Sequence, residues 1–115
     1  MNQEDLKERT KKFAIGIIHF IEDLPKEFVM GIIARQLVRC GTSVGANYRS
    51  ACRAKSKPDF ISKMGIVEEE ADEVMYWLEL LPKARIKNDE WECLYKEADQ
   101  LVAIAVASIK TSRSS

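Results

Sequence analysis

Six basic side chains stand between residues 28 and 57 with no acidic one among them: Arg35, Arg39, Arg49, Arg53, Lys55 and Lys57. The chemistry that suits such a stretch is the binding of phosphate oxygens. The guanidinium fork matches them in shape, and a sequence-blind contact to a phosphodiester backbone needs no aromatic platform. A second charged cluster, "EEEADE" at 68–73, follows. On a helical wheel Glu70 and Glu73 share one flank with Ile66 and Trp77. A carboxylate beside apolar neighbours seeks a cation, because an unpaired buried charge is costly, and Arg39 or Arg49 is the natural partner. The basic set therefore has three readings: a solvated face, ion pairs within the chain or between subunits, and a phosphate contact.

Other chemistry is thinly supplied. Glu70 and Glu73 could be two legs of a metal site, but carboxylate metal centres in helix bundles use Glu-x-x-His on two helices. The sequence has one histidine, His19, and it lies off the apolar stripe of its helix. Nucleophilic catalysis would need a cysteine or serine beside a positioned base. Cys40 falls on an apolar stripe, where thiols are inert. No metal, cofactor or catalytic residue is assigned, and the chain is read as non-enzymatic. The three cysteines, Cys40, Cys52 and Cys93, are odd in number and without close pairs. They read as reduced thiols of a cytoplasmic protein. The start, "MNQEDLKERT", has no apolar core and does not read as a secretory signal. The longest apolar run, "LVAIAVASI" at 101–109, is far short of the roughly 20 residues a membrane span needs.

The elements that must carry these residues are all helical. The sequence is 46% hydrophobic and 31% charged with only 5 Gly and 3 Pro, a balance that favours helices throughout. Its charge is uneven. Residues 1–57 hold 11 Lys/Arg against 6 Asp/Glu, a net of +5, and residues 58–115 hold 7 against 12, a net of −5. Amphipathic spacing predicts helices over about 3–22, 26–54, 57–81 and 89–110. Pro25 stands in the first break, Ser56 is an N-cap with Asp59 completing a capping box, and Asn88 and Asp89 are caps for the last helix. Residues 111–115 read as a frayed tail. Short connections between long helices predict an antiparallel up-down-up-down four-helix bundle, one domain over 1–115.

The segment "CGTSVGANYR" at 40–49 has the small residues of a phosphate loop, yet it reads as helix. With Arg35 at zero and about 100° per residue, Ile33, Leu37, Cys40, Val44, Tyr48 and Ala51 form one apolar stripe. Arg35, Arg39, Arg49 and Arg53 form a second stripe opposite, about 27 Å long at about 1.5 Å per residue. A loop would not keep such two-sided order. Gly41 and Gly45, on one flank, would let another helix approach closely at a propensity cost of about 1 kcal/mol each. Elsewhere Ile15 and Ile18 on the first helix, and Cys93, Ile104 and Ala107 on the fourth, lie outside the core stripes. A helix apolar nearly all round is buried on more than one side, so Ile15 and Ile18 are interface candidates.

"RQLVRCGTSVGANYRSACRAKSKPDFISK", from Arg35, followed by "EEADEVMYWLELL", from Glu69, strongly resembles the bacterial four helix bundle proteins of the 23S rRNA-intervening-sequence protein family. Two departures stand out: Cys40 where many relatives carry serine, and Ala51 where many carry glutamate. Glu69, often lysine in relatives, makes the third helix more acidic. The resemblance implies an all-α bundle that assembles into a homo-oligomeric ring, often a pentamer, with no established catalytic residues. It also implies a link to RNA, through a distantly similar basic pentamer that works with a reverse transcriptase. The expectation is an assembly or binding protein. It would be a nucleic-acid-associated adaptor using Arg35, Arg39, Arg49, Arg53, Lys55 and Lys57. The alternative is a protein–protein scaffold that binds no nucleic acid and whose arginines pair with Glu70 and Glu73.

Overall fold

The computed structural model describes residues 1–81, 86 and 88–115. Four helices follow one another: α1 (Gln3–Glu22), α2 (Phe28–Cys52), α3 (Lys57–Leu80) and α4 (Asn88–Ser114). They lie side by side in a bundle measuring 47 × 22 × 20 Å. The packing order is α1 on α2, α2 on α3 and α3 on α4, while α4 meets α1 more loosely.

Local chemistry sets the helix ends. Asn2 caps α1 by accepting from the Asp5 amide at 2.9 Å, and Asp5 accepts from the Asn2 amide at 3.2 Å. That reciprocal box satisfies two otherwise orphaned donors. Pro25 falls in the break, where α1 has ended at Glu22 and α2 has yet to begin at Phe28. α2 is two residues shorter at each end than the spacing predicts, starting at 28 rather than 26 and ending at 52 rather than 54. Ser56 caps α3 as expected, accepting from the Asp59 amide at 3.2 Å. The expected second half of that box differs. The Asp59 carboxylate accepts from the Lys55 amide at 3.0 Å and from Lys63 Nζ at 2.7 Å, so it ties the preceding turn to α3 instead of closing on Ser56. α3 ends at Leu80, one residue short of the predicted 81, with Leu81 as its C-cap. α4 begins at Asn88, one residue before the predicted start. It runs to Ser114, past the frayed tail expected from 111, because Ser114 and Ser115 hydroxyls bond back to carbonyls within the last turn.

The core is the apolar stripe of each helix. α1 contributes Leu6, Phe13, Ile17 and Phe20, and α2 contributes the predicted stripe from Ile33 to Ala51. Val67, Ala71, Val74 and Leu78 of α3 and Leu94, Ala98, Leu101 and Ala105 of α4 are buried in the same core. Met64 is fully buried one turn along α3 from Phe60, which is only partly covered. Thr10, a polar residue on the α1 stripe, is buried because its hydroxyl donates to the Leu6 carbonyl at 2.9 Å. Among the described residues no helix is long and apolar enough to cross a membrane.

A basic helix face and the carboxylates beside it

Gly41 and Gly45 explain why α1 lies where it does. A Cβ at Gly41 would stand 3.0 Å from Ile17 Cγ1, and one at Gly45 would stand 3.1 Å from Thr10 Oγ1. The two glycines are the floor on which α1 rests, so "CGTSVGANYR" is a helix-packing seam. With α1 held on that flank and α3 on the other, the outer side of α2 carries the arginines. Arg35, Arg49 and Arg53 are exposed there, and Lys55 and Lys57 are exposed in the following turn and first turn of α3. Arg35, Arg49, Arg53 and Lys55 have no carboxylate within ion-pair distance among the described residues. Lys57 Nζ donates to the Ser115 carbonyl, which draws the end of α4 against the start of α3.

Arg39 separates itself from this set. Its guanidinium leans over the α2–α3 seam, donating to Glu70 Oε1 at 3.0 Å and to Glu73. Gln36 Oε1 accepts from its Nε at 2.9 Å. Trp77 Nε1 donates to the same Glu73 oxygen at 2.9 Å. Partial burial lowers the affinity of Arg39 for its proton, but the charges of Glu73 and Glu70 outweigh this and hold the guanidinium above its ordinary value. Arg39 is therefore the partner that Glu70 and Glu73 require. Arg49, the other expected partner, is not: it faces the α1 flank, in a shallow groove of about 450 Å³ shared with Glu4, Lys7, Glu8 and Lys11.

The remaining sequence candidates are scattered. Ile15 and Ile18 are 47% and 41% exposed on α1, and Cys93 and Ala107 are exposed on α4, while Ile104 is half-buried. His19 is exposed beside Glu22. Cys40 is buried, and burial, with the Glu73 charge adding to it, pushes its thiol up to about 12, so it stays protonated and unreactive near neutral pH. One ion pair lay beyond sequence reasoning. Arg9 of α1 holds Glu97 of α4 through two bonds, at 2.6 and 2.8 Å, and the hydrogen bond to Glu97 raises the Arg9 guanidinium. No periodicity links residues so far apart; only the closure of the bundle brings them together.

The arrangement offers a row of solvated cations on a rigid helix, bounded on one side by a satisfied carboxylate network. Among the described residues no three His, Cys, Asp or Glu side chains converge as a metal site would require.

Three comparisons bear on this architecture. The model of the family described as 23S rRNA-intervening sequence protein matches residues 3–107. A crystal structure of a protein of unknown function from the S23 ribosomal protein family, from Bacteroides thetaiotaomicron VPI-5482, is similar with a TM-score of 0.83 and 35% identity. That likeness covers 96% of this chain and 99% of the other. No curated protein matches the chain.

Proposed function

The chain belongs to the 23S rRNA-intervening sequence protein family, and from that footing we propose that it is a non-enzymatic cytoplasmic adaptor whose α2 face binds RNA backbone. The observation that carries this reading is the row formed by Arg35, Arg49 and Arg53 with Lys55. All four are exposed, and none has a carboxylate within ion-pair distance among the described residues. Arg39 is left out of the proposed contact, because its charge is already met by Glu70 and Glu73. Binding of this kind draws on counterion release and is indifferent to sequence. The zero net charge of the chain does not oppose it, since the positive residues are gathered in residues 1–57.

A homo-oligomer, with the ring that the family resemblance implies, would multiply that row. Exposed apolar residues outside the α1–α4 seam support self-assembly: Ile18 on α1, Phe28, Val29 and Ile32 at the start of α2, and Tyr76 on α3.

The test is fluorescence anisotropy of a labelled structured RNA against the protein at several salt concentrations, with light scattering on the same samples. Wild type is expected to show a linear log–log salt dependence. The double substitution Arg35→Glu and Arg53→Glu is expected to weaken binding and flatten the slope by about 1 for each phosphate that is no longer neutralised. Unchanged RNA affinity in that variant rejects the α2 face as the binding surface, and a monomeric mass at every concentration rejects self-assembly.

A further inference from the structure

The loosest seam of the bundle, between α1 and α4, is a site in its own right. Arg9 and Glu97 close one end of it. Beyond that pair the helices part over a cleft of about 740 Å³, within the size range of small-molecule sites in helix bundles. Phe13, Gly16 and Leu94 form its floor, with Ile15 and the exposed Cys93 on its walls. Gly16 lets α4 come close to α1 at the base of the cleft, since a Cβ there would crowd Leu94 Cδ2 at 3.2 Å. From Arg9 to His19 the cleft follows α1 for about 15 Å at about 1.5 Å per residue, the length of an extended medium-length acyl chain.

The rim decides what charge the occupant carries. Lys12 and Lys96 stand on opposite helices at its edge, and neither has an ion-pair partner among the described residues. The one acid on the rim, Glu97, is neutralised by Arg9. An apolar trough with two free ammonium groups complements an apolar chain that ends in a single negative charge. We propose that the α1–α4 cleft binds a single-chain anionic amphiphile of the fatty-acid class, its tail between Ile15 and Cys93 over Gly16 and its carboxylate between Lys12 and Lys96. The assignment is independent of RNA binding, which uses the outer face of α2.

Dodecanoate below its micelle concentration is the probe, read by calorimetry and by the rate at which iodoacetamide alkylates Cys93, located by peptide mass spectrometry. One saturable site per chain is expected, with Cys93 protected when the site is full. The double substitution Lys12→Glu and Lys96→Glu changes only exposed side chains. It is expected to weaken dodecanoate by about tenfold or more and to favour dodecylammonium instead. Cys93→Trp fills the trough from its wall and is expected to abolish binding of both, with helical circular dichroism unchanged. Equal dodecanoate affinity in the charge-reversed protein overturns the proposal, as does unsaturable binding. So does a Cys93 that resists alkylation without ligand in samples that light scattering shows to be oligomeric, since a second copy then covers the cleft.

Discussion

The two flanks of α2 are packed by opposite means. At its closest approach to α1 the helix presents no side chain: Gly41 and Gly45 remove theirs, and Ile17 and Thr10 come down onto bare backbone. Toward α3 it presents a long charged arm, and Arg39 spans the seam to Glu70 and Glu73 with Gln36 and Trp77 holding the ends. The first flank works by dispersion and burial in a space with no slack. The second works through half-exposed polar groups that solvent and salt can replace. Close approach without side chains is unforgiving of added volume, whereas a polar bridge at the rim is forgiving of loss.

The largest expected effect lies on the glycine flank. Gly41→Val would drive new methyl groups into Ile17, which is fully buried and branched at the atom that would have to move. Urea denaturation should show a loss of roughly 1–3 kcal/mol or more. Gly31, on the same helix with nothing within 4 Å of its missing Cβ, is the control. Gly31→Ala should gain about 0.5–1 kcal/mol from helix propensity alone. A similar outcome at both glycines would break the comparison.

A smaller effect is expected across the other flank. Arg39 is 48% exposed, and exposed pairs contribute about 0–1 kcal/mol each. Arg39→Ala should therefore cost roughly 1–2 kcal/mol at low salt, some of it from leaving the mostly covered Glu70 without its partner. The deficit should shrink in 1 M salt, where screening acts within about 3 Å. A deficit that is insensitive to salt would mean that the arm packs rather than pairs.

The smallest effect belongs to Asp59, at the turn joining α2 to α3. Its hydrogen bonds from Lys63 and from the Lys55 amide hold the carboxyl below the ordinary aspartate value. A lowered folded value stabilises the protein above the unfolded value, and that stability is lost as pH falls through the folded one. Asp59→Asn should lower the melting temperature slightly near pH 7. The two proteins should then converge as the pH drops below about 4. Parallel melting curves across that range would show that the carboxylate charge is not what ties the turn.

Much of the fold is legible in the residues alone. The apolar stripe from Ile33 to Ala51 and the opposing arginines are a property of one helix, set by a repeat that any wheel reproduces. The Ser56 cap and the closeness permitted by Gly41 and Gly45 are equally local. Phe60 and Met64 are harder to rank, because both sit on the same side of α3 and only the position of α4 tells which is covered.

The sequence by itself determined the helices, their inward faces and the row of cations on α2, because hydrophobic periodicity and capping act within a few residues. Which neighbour each flank received was decided only by the tertiary structure. A wheel fixes the angle of Arg39 and Arg49 about the helix axis, but the positions of α1 and α3 decide that Arg39 pairs with Glu70 and Glu73 while Arg49 lies unpaired among the described residues in the groove beside α1. The same holds for Arg9 and Glu97 and for the cleft beside them. Their encounter depends on how four helices close around one core, a matter of packing volume that no local spacing encodes.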